Sequence, residues 1–165
     1  SDPHFIGGGF HETKNGGFLK IHADFCKHPE TNLDRRVNAI LFLNKNWKEE
    51  YKGYLSLFDK ELKNSKDILP SFNRLAIFNT TDFTFHGVPD PLRCPKEISR
   101  KSLALYYFSN GRPKDEVRDL RLQGKSTIYK KREGEKFKFS LKKLTISLTP
   151  PILISFLKFF IKKSK

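Results

Sequence analysis

The sequence predicts a mainly β domain, a sandwich or barrel of which a jelly roll is one form. Short apolar or alternating segments recur from residue 9 to residue 112, and Gly- and Pro-containing turns separate them. Sixteen phenylalanines in 165 residues supply an aromatic-rich core, and that length suffices for one domain with a real interior.

Taken in order, Phe10–Lys14 reads as a weak first strand and Asn15-Gly16-Gly17 as the turn after it. Gly17–Phe25 alternates strictly. Leu19, Ile21, Ala23 and Phe25 fall on one face, and Lys20, His22 and Asp24 on the other. Arg36–Asn44 is nearly continuously apolar, the mark of a strand buried on both faces, whereas Asn46–Lys52 is short and polar. Tyr54–Phe58, Arg74–Phe78, Thr84–Val88 and Leu103–Phe108 complete the strand series. The Gly87–Ser99 loop, with three prolines, reads as an insertion near the mouth of the domain.

The chain therefore divides into a core over residues 1–112 and a basic C-terminal extension over residues 113–165. The extension has little periodicity until Pro150-Pro151, a favoured helix start, after which Ile152–Lys163 reads as a helix. Lys158, Lys162 and Lys165 form one charged stripe on an otherwise apolar rod. The rod is shorter than the roughly 20 apolar residues that cross a bilayer. The expectation is a helix packed on the core, with a membrane-surface helix as the second reading.

Lys and Arg number 32 against 18 Asp and Glu, a net charge of +14. Such a surface suits nucleic acid, anionic membrane or acidic substrates. The basic residues are widely spread, which disfavours a nucleic-acid partner. Two cysteines, Cys26 and Cys94, cannot build a disulfide framework and suit a reducing, cytoplasmic setting. The chain begins Ser1-Asp2-Pro3, contains no methionine and shows no signal peptide, and so reads as trimmed or partial, possession of its N-terminal portion being open. Nothing in it signals an oligomeric state.

The residues that carry chemistry lie on two strands. His22 and Asp24 project the same way, about 6.6 Å apart at strand rise. His86, from another strand, would complete a set of two histidines and one carboxylate, the facial triad of non-haem iron sites. The bland alternative is an exposed His and Asp on a solvated strand face. His4, His11 and His28 lie off the alternating pattern and read as surface or loop residues.

Four further segments, in order, carry a resemblance: Arg35–Trp47, Gly53–Phe58, Phe72–Phe78 and Arg100–Phe108. Together with the His-x-Asp strand they resemble the prolyl 4-hydroxylase-like branch of the Fe(II)/2-oxoglutarate-dependent oxygenases, over roughly residues 9–110. The resemblance implies a double-stranded β-helix (jelly-roll) core with His22, Asp24 and His86 as Fe(II) ligands. It implies Arg100 as the partner of the distal carboxylate of 2-oxoglutarate, which a guanidinium can grip bidentately. Ser102, Ala104 and Tyr106 share a strand face with Arg100. Ser102 can donate to the same carboxylate, Ala104 leaves room for a ligand, and Tyr106 flanks the metal. Arg35 falls where relatives hold substrate.

The implied activity is hydroxylation of a C–H bond with Fe(II), 2-oxoglutarate and O2, ascorbate being a further candidate. A peptide or protein prolyl residue is the nearest substrate. A small molecule or saccharide, or a non-catalytic binding module on the same scaffold, are the alternatives. Nucleic-acid demethylating relatives carry Arg-x-Asn-x-Thr-x-Arg on the closing strand, and this chain reads Arg100-x-Ser102-x-Ala104-x-Tyr106. Phe42 stands where hypoxia-factor-type prolyl hydroxylases carry a tyrosine that touches 2-oxoglutarate, so Asn38, Ser102 or a water takes that contact. Lys52-Gly53 replaces the family's Gly-Gly, and only about twenty residues precede the His-x-Asp strand where relatives carry bracing elements.

Overall fold

A computed structural model describes residues 5–114 and 126–132, all within one compact unit spanning Ser1–Arg132. The helix expected over Ile152–Lys163 and its packing on the core lie outside the described residues. Among the described residues there are nine strands and a single 3-10 turn, Glu49–Tyr51, and no helix is long and apolar enough to cross a membrane.

The strands are β1 (Gly9–Thr13), β2 (Leu19–Ala23), β3 (Asp34–Phe42), β4 (Leu55–Phe58), β5 (Ser65–Ile68), β6 (Arg74–Asn79), β7 (His86–Val88), β8 (Arg100–Ser109) and β9 (Ile128–Tyr129). They form a four-stranded sheet in the order β1-β8-β3-β6 and a five-stranded sheet in the order β5-β4-β7-β2-β9. Every strand pairing is antiparallel. Two such sheets built from non-sequential neighbours are consistent with a jelly roll.

The nearly continuous apolar run of β3 places it between β8 and β6, and none of its residues is exposed. Register sets its inner face: Asn38 lies opposite Tyr106, Ile40 opposite Ala104 and Phe42 opposite Ser102. Phe42, Leu55 and Ala76 meet between the sheets with Ile40, Leu57, Ile68 and Phe78 around them. A second cluster of Ile21, Ala23 and Phe85 packs against Phe58, Leu62, Phe83 and Ile128.

Three local features depart from the sequence reading. The polar Asn46–Lys52 stretch buries Trp47, whose indole Nε1 donates to Lys52 O at 3.0 Å. Trp47 then packs with Val88, Leu92 and Cys94, so these three side chains of the Gly87–Ser99 stretch form core, while Ile98 stays exposed. β5 carries an exposed, polar sequence and exists through its ladder with β4. β9, from a stretch with no periodic signal, adds to the edge of β2.

Candidate active site

His22 near the end of β2 pairs directly with His86, the first residue of β7. Their ring centroids lie 4.4 Å apart. Asp24 follows one residue beyond β2. One ligand atom from each of the three lies within 4.8 Å of the others. His22 Nε2 is 3.5 Å from Asp24 Oδ1, and His86 Nε2 is 3.4 Å from Asp24 Oδ2. Donors bound to one ion at about 2.1 Å lie no more than about 4.2 Å apart, a limit that both Asp24 spacings meet.

β2 does not alternate strictly. The pairs Leu19↔Val88 and His22↔His86 leave one extra residue on β2, a bulge. Leu19 and His22, of opposite parity, therefore both line the same cavity. The bulge also brings Lys20 O to 2.7 Å from His22 Nδ1. A carbonyl only accepts, so Nδ1 donates to it and Nε2 is left turned toward Asp24. His86 Nδ1 faces Thr84 O in the same sense at 3.4 Å.

Burial by itself would raise the Asp24 pKa. Contacts with His22 and His86 and the charge of Arg35 outweigh it and hold the carboxyl well below the usual carboxylate range. Asp24 is thus an ionised donor at neutral pH. Its Oδ2 accepts from Arg35 Nη2 at 2.9 Å and Asn38 Nδ2 at 2.7 Å.

Arg100 opens β8 and is 7 % exposed. Its Nε donates to Gly53 O at 2.8 Å. Gly53 has φ +76°, and a Cβ there would come within 3.2 Å of Arg100 Cδ. Burial lowers the guanidinium pKa to about 10, which leaves it a cation at neutral pH. No carboxylate among the described residues pairs with it. An unpaired buried cation is costly unless an anion completes it. The Arg100 side chain also lies over the Phe42 ring, with Cζ 5.1 Å from the centroid. Ser102 and Ala104 follow on the same inner face, both buried.

These groups line a cavity of about 100 Å³ between the sheets, with Ile40, Leu55 and Val88 as apolar wall. The carboxylate-friendly Arg100 and the His-Asp-His cluster open into the same space.

The remaining predicted residues sit as follows. Asn38 lines the cavity, but its carbonyl oxygen accepts from Arg35 Nε, Arg35 Nη2 and Thr80 Oγ1, and its amide donates to Asp24. Tyr106 lines the cavity and its hydroxyl donates to Gly7 O at 2.9 Å. Arg35 is 1 % exposed and lies behind Asp24. His11, read as a surface residue, lies opposite Ser102 on β1 and reaches the cavity mouth. His28 is 2 % exposed because its Nδ1 accepts from the Glu30 and Thr31 amides within its own turn. Nothing local could have flagged the Gly53 carbonyl. His4 lies outside the described residues.

Residues 8–108 match the family model described as the 2OG-Fe(II) oxygenase superfamily, and that stretch contains His22, Asp24, His86 and Arg100. Over 86 residues, 49 % of this chain, the sequence is 29 % identical to prolyl 3-hydroxylase OGFOD1 of Mus musculus, of whose length it covers 15 %. A crystal structure of a Pseudomonas putida prolyl-4-hydroxylase aligns at 25 % identity and TM-score 0.48, over 63 % of this chain and 52 % of that one. A prolyl 4-hydroxylase from Phytophthora capsici aligns at 27 % identity and TM-score 0.46, over 61 % of this chain and 31 % of its own.

Proposed function

The chain belongs to the 2OG-Fe(II) oxygenase superfamily, and on that premise we propose that it hydroxylates a C–H bond, on a prolyl residue of a peptide or protein. One observation carries this reading. A His-Asp-His cluster of single-ion dimensions opens into the same cavity as a buried arginine with no carboxylate partner among the described residues. The first suits Fe(II), and the second suits the far carboxylate of a dicarboxylic 2-oxo acid.

In this reading His22, Asp24 and His86 hold Fe(II). Their Nδ1–carbonyl contacts and the Arg35–Asn38 contacts fix how the three donors point. Arg100, held by Gly53 O through Nε, presents its remaining N–H groups to the cosubstrate carboxylate, with Ser102 beside it. Ile40, Leu55, Val88 and Ala104 exclude water around the methylene chain. Phe42, at 0 % exposure, offers a ring face and no hydroxyl, so the family's tyrosine contact is replaced by Ser102 or water. Bound Fe(II) supplies the redox chemistry by which 2-oxoglutarate and O2 become succinate and CO2, with one oxygen atom placed on the substrate. The prolyl substrate rests on the mouse relative's name and on the sequence resemblance.

The test is anaerobic titration of Fe(II) and 2-oxoglutarate, followed by the weak visible charge-transfer band of their complex. A band that disappears in Asp24→Ala and weakens in Arg100→Ala supports the reading. No band in folded protein removes it. With the band established, incubation with proline-containing peptides and a search for a mass gain of one oxygen decides the substrate class.

A further inference from the structure

We propose that Tyr129 of β9 is a substrate-contacting residue, its exposed ring being the wall on which a proline-bearing peptide rests as it reaches the metal; this rests on the reading above. The cavity groups serve metal and cosubstrate, and the peptide needs a surface of its own. Arg35, expected there from the sequence, is 1 % exposed and donates to Asp24 Oδ2 at 2.9 Å. β9 lies beyond residues 8–108, the stretch that the family model matches.

Register puts Tyr129 beside the cluster. His86 stands opposite His22, and His22 opposite Tyr129. Directly opposed residues send their side chains to one face of a sheet, so the three form a row across β7, β2 and β9. Ring centroids lie 4.4 Å apart from His86 to His22 and 5.8 Å apart from His22 to Tyr129. Both histidines are 6 % exposed, whereas Tyr129 is 62 % exposed. The row therefore runs from enclosed ligands to an aromatic ring open to solvent on the edge strand of the sheet.

The residues on either side of Tyr129 anchor it. Ile128 points the other way and packs on the cluster of Ile21, Ala23 and Phe85. Lys130 N donates to Ile21 O at 3.0 Å. Lys130 Nζ donates to Lys60 O at 2.8 Å and lies 4.6 Å from the Phe85 centroid. Arg132 Cζ lies 5.2 Å from the Phe58 centroid. A lone exposed ring means little by itself. This ring is fixed on a held strand, in line with two metal-ligating side chains. Aromatic walls are a common seat for proline-containing segments, whose preset backbone loses little entropy on binding.

The test uses the 165-residue chain and its Tyr129→Ala, Tyr129→Leu and Tyr129→Phe variants. Circular dichroism monitors folding. Each protein is titrated with Co(II), a spectroscopic stand-in for Fe(II), and then with 2-oxoglutarate. Fe(II)-loaded protein is next given 2-oxoglutarate, O2 and a pool of nine-residue peptides, each with one central proline and varied flanks. A mass gain of one oxygen identifies the best peptide, on which kcat and KM are measured. The expected result is a KM raised about tenfold in Tyr129→Ala and Tyr129→Leu. Tyr129→Phe, which keeps the ring, should stay near wild type, and Co(II) and 2-oxoglutarate affinities should hold in all three. Tyr129→Leu keeps the bulk and carries the test should Tyr129→Ala fail to fold. An unchanged KM in the folded variants overturns the inference. So does a loss of Co(II) affinity, which would make Tyr129 a brace for His22. Wild-type protein that binds Co(II) and 2-oxoglutarate but oxidises no peptide removes the peptide substrate, and the role of Tyr129 with it.

Discussion

The two faces of the four-stranded sheet are built from the same four strands with opposite chemistry. Its inner face carries Asn38, Arg100 and Ser102, each at or below 7 % exposure, among apolar neighbours. Its outer face carries Phe10 at 80 %, Ile77 at 65 %, Leu75 at 53 % and Tyr107 at 41 % exposure. Register ties each set together: Ser102 and Phe42 face inward as a pair, while Leu75 lies opposite Leu41, and Leu103 opposite both Phe10 and Leu41. A sheet folded only for stability would place its apolar residues inward and its polar residues in water. This sheet buries a cation and an amide among its inward apolar residues and leaves large apolar side chains exposed on its other face. The inversion teaches where the chemistry is: buried polar groups are retained on the face that meets a ligand.

The sharpest way to break the comparison is Asp24→Ala. It removes the charged donor of the inner cavity, and Co(II) affinity should fall by at least about 100-fold. Calorimetry on folded protein checks this, and near-wild-type binding would detach the cavity from metal chemistry. Next is Arg100→Ala. Removing one side of a buried charge pair costs about 3–5 kcal/mol. The 2-oxoglutarate Kd, measured on Co(II)-loaded protein, should therefore rise by about two to nearly four orders of magnitude with the Co(II) Kd unchanged.

A subtler perturbation is Gly53→Ala. At φ +76°, with the new Cβ 3.2 Å from Arg100 Cδ, it should destabilise the fold by about 1 kcal/mol or more in urea denaturation. It should also weaken 2-oxoglutarate binding by disturbing Arg100. Unchanged 2-oxoglutarate affinity would show that the Gly53 carbonyl plays no part in aiming the guanidinium. The smallest effect belongs to the outer face. Ile77→Lys should shift stability by no more than about 0.5 kcal/mol and leave metal and cosubstrate binding intact. It should lower concentration-dependent association in light scattering. A loss of metal binding in Ile77→Lys would mean that the two faces are coupled.

Much of the inner face was legible because it depends on parity. Strand period places Arg100, Ser102, Ala104 and Tyr106 on one side, and all four line the cavity. The same period paired His22 with Asp24, and a long apolar run marked β3 as central. Illegible features share a different cause. The bulge in β2 is a mismatch of count between two strands, and neither strand contains it alone. β5 has no strand propensity in Ser65-Lys66-Asp67-Ile68 and forms because β4 offers a ladder. His11 was set aside because only its register with Ser102 turns it toward the site.

The sequence by itself determined which residues of β3 and β8 share a face and that His22 and Asp24 lie close together, since side-chain direction follows from neighbours one or two positions away, while the role expected of Arg100 came from the family resemblance. The tertiary structure alone decided what those residues do for one another. Arg35 meets Asp24 across 11 positions, and Arg100 meets the Gly53 carbonyl across 47. Such contacts arise when the chain returns to itself at a register that the packing of both sheets selects. A charged side chain must then find a partner in that enclosure or bear the desolvation cost alone, which is why Arg35 turns to the carboxylate behind the cavity wall and not to the cavity.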